Sequence, residues 1–250
     1  MVSDVPVGMF LSGGYDSSAV TAILQKDRTE KLKTFSIGFH EEKYNEAHYA
    51  KDIAKHLGTE HTEYYCTQKD AQELLPLMSE IWDEPFGDSS NIPTTLVSRL
   101  ARKDVTVSLS ADGGDEIFGG YNKYIQALKY QRALSKLPFT RTFGFILEAV
   151  NPKYLIGLNK TYNFVNRYEK LKTLLKAKDE IEMMRGVSYH FNPSEVDSLL
   201  GKATIIKTSF DDKILLNSHN DAIDKMMAID YKTYQLDDIL TKVDRATMSV

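Results

Sequence analysis

The sequence predicts an α/β protein, in which a doubly wound parallel sheet is followed by a mostly helical region. Strand-like and helix-like segments alternate through the first half of the 250-residue chain. A glycine-rich turn follows the first strand, and strand signals end past about Tyr121. Such alternation is typical of parallel strands joined by crossover helices. We therefore divide the chain into an α/β core over residues 1–121 and a helical region over residues 122–250.

The strands of the core are predicted from short runs rich in apolar, β-branched or aromatic residues. They cover residues 5–11, 33–39, 60–65 and 105–109. The helices between them are predicted from apolar residues at helical spacing, over residues 17–25, 47–57, 68–81 and 94–103. Asn45 is placed to cap the second helix and Gly58 to end it. Further helices are predicted over residues 124–134, 168–176, 180–187 and 221–234.

The turn after the first strand has the composition of a phosphate-binding loop. Residues 12–18 read SGGYDSS, so two glycines lead directly into a helix start. The free N–H groups and the positive dipole end of a helix start suit a phosphate group. The carboxylate of Asp16 would repel a phosphate unless a cation lay between them, so we interpret Asp16 as a Mg²⁺ ligand. The lysine of a Walker loop is absent from this motif, and a plain strand-to-helix turn is the alternative.

A second loop combines glycines with three carboxylates, those of Asp112, Asp115 and Glu116, in the sequence SADGGDEIFGGY. These carboxylates would repel one another in an apolar pocket without a cation or hydrogen-bond donors. The loop follows a strand, so we expect it at the same sheet edge as SGGYDSS. Asp16 and Asp115 are then predicted to share one Mg²⁺ that bridges the phosphates of ATP. A surface turn with a capped helix after it is the alternative.

Five motifs occur in the order found in the synthetase domain of glutamine-dependent asparagine synthetases, which are N-type ATP pyrophosphatases. The motifs are SGGYDSS at 12–18, TFSIGF at 34–39, WDEPFGDSSNIPT at 82–94, LSADGGDEIFGGY at 109–121 and LDDILTKVDRATM at 236–248. The chain resembles that family over essentially its whole length. The resemblance implies an adenine nucleotide α-hydrolase-like fold that uses ATP and Mg²⁺.

The resemblance also implies roles for individual residues. The segment from Ser12 to Ser18 would hold the pyrophosphate, and Asp16 and Asp115 would bind Mg²⁺. Asp112 would act in catalysis. The residues assigned to ATP are Leu11, Ser12, Gly13, Gly14, Asp16, Ser17, Ser18, Ile37, Ser110 and Ala111.

Two positions depart from the family pattern. Asparagine-forming enzymes typically have glutamate at the position of Asp112, and aspartate is shorter by one carbon–carbon bond, ~1.5 Å. Ala111 replaces a usual glycine. The SxDGGDE form resembles paralogues encoded with surface-polysaccharide pathways, some of which amidate sugar carboxylates. The acid substrate is therefore expected to be aspartate or a sugar acid.

The reaction implied by the resemblance is ATP-dependent amide formation. A substrate carboxylate is adenylated with release of pyrophosphate, and ammonia then attacks the acyl-adenylate, with Asp112 orienting or deprotonating it. Two alternatives stay open. The chain is a non-catalytic or partner-dependent ATP-binding module, or it adenylates an acid that is attacked by an internal amine, as in β-lactam-forming relatives.

Both ends of the sequence read as cuts through a longer protein. The family's N-terminal glutaminase domain, with a cysteine directly after the initiator Met, is missing, since position 2 is Val. The catalytic lysine expected past Val250 is missing as well. We therefore expect this fragment alone to be inactive and its ammonia to come from a glutaminase domain or a partner. The resemblance also allows a homodimer of the full-length protein.

Composition argues against several other classes of function. The net charge of −4 and the pI near 5.9 argue against nucleic-acid binding. The sequence has no apolar run long enough for a bilayer. Cys66 is the only cysteine, which rules out an intrachain disulfide and favours a reducing, cytoplasmic setting. The spacing of His48, His56 and His61 does not fit a zinc site.

Other patterns are weaker candidates. Basic and aromatic residues interleave from Lys123 to Arg132, which we interpret as a solvated helix face. Asp244 and Arg245 either face the substrate or form an ordinary ion pair of a helix. The residues of the 83–90 loop that we consider for substrate contact are Asp83, Glu84, Asp88, Ser89 and Ser90.

Overall fold

The computed structural model describes residues 2–42, 45–150, 152, 164–191, 193–201 and 207–250. Two compact units make up the chain. The first combines Met1–Gly114 with Gln235–Val250, and the second is Asp115–Tyr234. The second unit is thus an insertion in the sequence of the first. The part of the predicted helical region at 151, 153–163, 192 and 202–206 lies outside the described residues.

The first unit contains a parallel four-stranded sheet with the strand order β3-β2-β1-β4. The strands are β1 (Val7–Phe10), β2 (Lys33–Phe39), β3 (Glu60–Cys66) and β4 (Val107–Leu109). Met9 lies opposite Thr34 on one side and opposite Leu109 on the other. The chain moves outward from β1 to β3 and then returns to the far side of β1. The predicted doubly wound parallel sheet is confirmed.

The helices cover most of the remaining described chain. In order they are α1 (Tyr15–Gln25), α2 (Ala47–Leu57), α3 (Gln68–Leu74), α4 (Met78–Trp82), α5 (Asn91–Arg102), α6 (Gly114–Phe118), α7 (Asn122–Leu134), α8 (Thr140–Glu148), α9 (Phe164–Lys176), α10 (Glu180–Ser188), α11 (Pro193–Leu200), α12 (Lys213–Asn217), α13 (Ala222–Lys232) and α14 (Thr241–Met248). Short 3₁₀ helices cover Leu75–Leu77 and Ser209–Asp211, and a π-helix covers Tyr234–Leu240. No helix in the described part of the chain is both long and apolar enough to cross a membrane.

Most differences from the predicted elements have a local cause. The helix predicted over residues 68–81 is interrupted at Leu75–Leu77, because Pro76 lacks an N–H and its ring clashes with the preceding turn. The last strand starts at Val107 rather than at Val105. The N–H of Val105 instead donates to the carbonyl of Ala101, at 2.9 Å, and so extends the end of α5.

The apolar core of the first unit lies between the sheet and its helices. Phe35 of β2 packs with three residues of α5 and the chain after it, namely Val97, Ala101 and Val105. Leu11, directly after β1, packs with Ala50 and Ala54 of α2. Leu11 thus anchors the start of the loop after β1 to α2.

The second unit has a helical core built by α7, α10 and α13. Its most buried members are Tyr124, Ala127, Met183, Met184, Met226 and Ile229. The Tyr124 hydroxyl donates to Asp230 at 2.7 Å, and Lys123 pairs with the same carboxylate oxygen at 2.8 Å. We predicted that this basic and aromatic pattern is a solvated helix face, and that prediction is wrong for the start of the pattern. Tyr124 fills the core, and Lys123 follows it inward because a buried carboxylate needs a counterion.

Candidate active site

The switch point of the sheet lies between β1 and β4. Because Met9 and Leu109 are opposite each other, the two strands end side by side and their following loops are neighbours. In open α/β sheets, ligands bind in the crevice outside the carboxyl ends of the strands at such a point. The residues predicted from the SGGYDSS and SADGG motifs are thus brought to one edge of the first unit.

The turn after β1 depends on a glycine. Gly13 has a φ of +87°, and a Cβ there would lie 2.8 Å from the Cβ of Tyr49 and 2.9 Å from the N of Ala50. Any other residue would be strained at this φ and would collide with α2. Because of this close packing, the backbone of the turn lies at the sheet edge. A loop that binds an anion through its backbone N–H groups needs such a position.

The helix start after this turn leaves backbone N–H groups available. Gly14 precedes α1 and makes no side-chain capping hydrogen bond, so the first N–H groups of α1 point outward without intrahelical partners. The nearby hydroxyls instead hold the turn together. Ser12 and Ser17 hydroxyls lie 3.0 Å apart, and the Ser18 hydroxyl donates to the carbonyl of Gly14 at 2.6 Å. This arrangement suits a phosphate group.

The predicted adenosine side of the site is more deeply seated. Leu11 is buried, its N–H donates to the carbonyl of Phe35 at 2.9 Å, and its carbonyl accepts from the hydroxyl of Ser36. Ile37 lies further along β2, opposite Tyr64 of β3, and is half-buried. Both residues therefore have fixed backbones beside the switch point.

The acidic loop after β4 contacts the first loop through a glycine. A Cβ at Gly114 would lie 2.6 Å from Cγ and 2.8 Å from Oδ2 of Asp16. The carboxylate of Asp16 therefore lies directly against the backbone of the acidic loop. In that loop, Ser110 donates to Oδ2 of Asp112 at 2.7 Å, and Asp112 is exposed. Ala111 is half-buried and accepts from the N–H of Gly114 at 3.3 Å.

Asp115 is the first residue of the second unit. Its carboxylate lies so close to Gly120 that a Cβ at Gly120 would be 1.9 Å from Oδ1. Asp115 therefore requires a glycine at this position. The sharing of one Mg²⁺ by Asp16 and Asp115 stays a prediction.

Glu116, the third carboxylate of the motif, has a structural partner. It is buried, and it accepts a hydrogen bond of 2.6 Å from the Tyr121 hydroxyl. Burial and this hydrogen bond raise the pKa of Tyr121. Tyr121 therefore stays protonated and keeps donating to Glu116, which serves the packing of the second unit.

The 83–90 loop is tied to α14 by two ion pairs. The ammonium of Lys242 lies 2.8 Å from Oδ2 of Asp88 and 2.8 Å from the hydroxyl of Ser90. Burial alone would raise the pKa of Asp88, but hydrogen bonds from Lys242 and Ser90 outweigh it and lower this pKa to about 2. Arg245 donates to Asp83 of this loop, so its partner lies outside its own helix.

Other predicted residues in this region lie at the surface. Asp244 is exposed on α14, and Glu84 and Ser89 are exposed in the loop. Lys242 was not among the predicted site residues. Lys242 and Ala246 are both buried on α14, and no local signal in the sequence marks this lysine, because its partners lie on a distant segment.

The histidines and the cysteine have ordinary surroundings. His61 shares a contact of 2.9 Å between Nδ1 and the Thr34 hydroxyl, and burial lowers the pKa of its ring. Cys66 ends β3 and is buried, which raises the pKa of its thiol. Among the described residues, no group of three or more His, Cys, Asp or Glu side chains is placed to hold a metal ion.

Comparisons of this chain with known proteins all point to one family. Residues 1–250 match the asparagine synthase family. The chain is 38% identical over 256 residues to a putative glutamine-hydrolysing asparagine synthetase 2 of Methanocaldococcus jannaschii, covering 99% of this chain and 46% of that protein. It is 34% identical over 254 residues to the glutamine-hydrolysing asparagine synthetase 1 of Bacillus subtilis, covering 100% of this chain and 38% of that protein. The chain spans less than half the length of these relatives. On these matches and this fold, the chain belongs to the asparagine synthase family.

Proposed function

We propose that this chain is the ATP-binding core of an enzyme for ATP-dependent amide formation, in which a carboxylic acid is adenylated and then attacked by ammonia. One contact carries the proposal: the carboxylate of Asp16 lies against the backbone of Gly114. This contact joins the glycine-rich loop after β1 to the acidic loop after β4, at the switch point where such folds bind ligands. The names of the relatives, which are glutamine-hydrolysing asparagine synthetases, support the same chemistry.

The nucleotide is held by the loop after β1 and the two strand ends beside it. The first N–H groups of α1 and the backbone of Gly13 and Gly14 bind the pyrophosphate part, with hydroxyls from the serines of the loop. Leu11 and Ile37 line the adenine and ribose pocket from β1 and β2, and Ser110 and Ala111 line it from the acidic loop. The nucleotide therefore places its α-phosphorus between the two loops.

The carboxylates of the site fit Mg²⁺ better than a metal ion whose ligands all come from protein side chains. Asp16 lies against the loop that leads to Asp115, and the described residues hold no cluster of three or more possible ligands. Mg²⁺ is usually held by one or two carboxylates together with phosphate oxygens. When bound, Mg²⁺ neutralises negative charge on the phosphates. Asp16 and Asp115 are its proposed protein ligands.

The reaction has two steps. A carboxylate oxygen of the acid attacks the α-phosphorus of ATP, and the bond to the β-phosphate oxygen breaks to release pyrophosphate. The α1 N–H groups stabilise the charge that builds on the departing pyrophosphate. Ammonia then attacks the acyl carbon and AMP leaves, while the nitrogen loses a proton. Asp112 is the proposed group that orients ammonia or takes this proton, and its carboxylate accepts a hydrogen bond from Ser110.

The acid is aspartate or a sugar acid, and the ammonia comes from a glutaminase domain or a partner protein. Pyrophosphate release by the full-length protein, measured with ammonium salt across a panel of acids, tests the substrate class. A non-catalytic ATP-binding module releases no pyrophosphate with any acid, and an enzyme with an internal amine releases it without ammonium.

Removing the proposed metal ligand tests the site directly. We expect Asp16→Ala to abolish Mg²⁺-dependent binding of ATP in calorimetry, because the metal–pyrophosphate unit loses its carboxylate in the first loop. Asp115→Ala is expected to do the same. The exposed Asp52 of α2 provides the control Asp52→Ala, which should bind as the parent chain does. Unchanged Mg²⁺-dependent binding in both site variants would remove the basis for this assignment.

A further inference from the structure

The segment that follows the second unit returns to the first unit and contacts the acidic loop. We call Gln235–Val250 the return segment. Its first residue, Gln235, is only 7% exposed. A Cβ at Gly113 would lie 2.8 Å from Nε2 and 3.3 Å from Oε1 of Gln235. The amide group of Gln235 therefore occupies the space in which any other residue at position 113 would carry its side chain.

Gly113 is the turning point of the acidic loop. Its φ is +97°, a left-handed conformation that favours glycine. It lies between Asp112, the proposed catalytic carboxylate, and Gly114, which contacts Asp16. A shift of the backbone at Gly113 therefore moves Asp112 relative to the nucleotide loop.

Gln235 holds this position by packing. Its Oε1 is buried and makes no hydrogen bond within the described part of the chain. A buried carbonyl oxygen without a donor lowers stability, so an apolar side chain of equal size would suit the fold alone at least as well. The contact with Gly113 is thus a packing contact. The position of the Gln235 backbone determines where this side chain lies.

The backbone of Gln235 is itself well fixed. It lies in the π-helix Tyr234–Leu240, a type of helix that is rare and occurs frequently at functional sites. Further along the return segment, Lys242 is anchored to Asp88 and Ser90, each at 2.8 Å. The return segment is therefore held at the sheet edge independently of the acidic loop.

We propose that Gln235 is a positioning residue for the amide-forming step, because its side chain braces the Gly113 turn and so fixes where Asp112 meets the incoming ammonia. The inference rests on the function proposed above. It assigns no contact between Gln235 and the substrates. It predicts that the volume at position 235 matters and that the amide group does not.

The test compares Gln235→Ala with Gln235→Met in the full-length protein, using ammonium salt as nitrogen donor and the acid that gives most pyrophosphate. Gln235→Ala leaves the turn unsupported, so the acyl-adenylate is lost to water and the yield of amide per pyrophosphate falls about tenfold. Gln235→Met keeps the volume and keeps the parent yield. A loss of general stability would lower both products together and leave their ratio unchanged. An unchanged ratio in Gln235→Ala, or an equal loss in Gln235→Met, overturns the proposal.

A thermal cycle tests the brace without any catalysis. Gly113→Ala introduces both a strained φ and a collision with Gln235, whereas in the Gln235→Ala background only the strain remains. We expect the loss of melting temperature caused by Gly113→Ala to shrink by about half in that background. Strictly additive losses contradict the brace. A full-length parent protein that releases no pyrophosphate contradicts the proposed function instead, so the two failures are distinguished.

Discussion

Each of the two units contains a lysine–aspartate ion pair that is largely removed from solvent, and the two pairs have different surroundings. In the first unit, Lys242 and Asp88 lie 2.8 Å apart, and the third partner is the hydroxyl of Ser90. In the second unit, Lys123 and Asp230 also lie 2.8 Å apart. The first pair joins a loop to a helix, and the second joins two helices of an apolar core.

The pair in the second unit is enclosed by aromatic rings. The ammonium of Lys123 lies 4.8 Å from the ring centre of Tyr121 and 4.6 Å from that of Tyr234. Cation–π attraction and the hydrogen bond from Tyr124 to Asp230 complete its surroundings. Burial and the hydrogen bond to Asp230 raise the pKa of Tyr124, so this donor stays protonated. This pair makes the packing of α7 against α13 specific.

The pair in the first unit joins a loop to α14. Asp88 accepts from the N–H of Ser90 at 2.8 Å and so fixes the turn that starts α5. Lys242 then holds that turn from α14. Similar ion pairs thus have different structural roles. The Lys123–Asp230 pair joins two packed helices, and the Lys242–Asp88 pair fixes a loop near the candidate site. The following changes separate these roles.

The largest effect is expected for Lys123→Met. The change leaves the Asp230 carboxylate, whose side chain is only 4% exposed, without a cation. We expect the free energy of unfolding to fall by about 3–5 kcal/mol in denaturant titrations, as for other broken buried pairs. The control Lys69→Met removes an exposed pair with Glu73 and should cost no more than about 0.5 kcal/mol. A loss below about 1 kcal/mol in Lys123→Met would show that Tyr124 alone satisfies Asp230.

A smaller loss, about 2 kcal/mol, is expected for Lys242→Met, because Asp88 is less deeply buried than Asp230 and keeps its donors from Ser90. Circular dichroism during denaturant unfolding measures it. The double variant Lys242→Met with Asp88→Asn removes the uncompensated charge and keeps the turn at Ser90. It should recover about half of the loss, and no recovery would mean that the methylene packing of Lys242 is what stabilises α14.

The smallest effect is the acid dependence of the Asp88 pair. The pKa of Asp88 is lowered in the folded chain to about 2, against an ordinary value of about 3.9. A lowered folded pKa gives stability that is present above the ordinary pKa and is lost as the pH falls through the folded one. We expect about 1–2 kcal/mol to be lost between about pH 4 and pH 2. Asp88→Asn should flatten the unfolding profile in this window, and an unaltered profile would contradict the pairing.

The sequence predicted the elements whose signals are local. The second strand was predicted at the residues it occupies, Lys33–Phe39, and α2 ends at Gly58 in a left-handed conformation as expected. The two loops at the switch point were found for a similar reason. Their glycines and carboxylates lie next to each other in the sequence, and the strand order brings the loops together.

Features that depend on distant residues escaped prediction. The π-helix Tyr234–Leu240 has no distinct apolar spacing, because its period differs little from that of an α-helix over so few residues. The partners of Lys242 lie more than 150 positions away, with Asp88 separated from it by 154. The return of the chain to the first unit shifts the structural boundary to Gly114 and Gln235, whereas the sequence suggested one division near residue 121. Such contacts arise from tertiary packing, which no local pattern records.

The discontinuity of the first unit has a consequence for how the chain folds. During synthesis the four described strands have all emerged once β4 is made, but Lys242 reaches Asp88 only after the whole of Asp115–Tyr234 has been made. Closing so long a loop costs conformational entropy that grows with the logarithm of its length. A second unit that folds early as a compact body shortens this loop before the return segment arrives. The contacts of the return segment with Asp88 and Gly113 are thus late events, which follow the synthesis of the whole second unit.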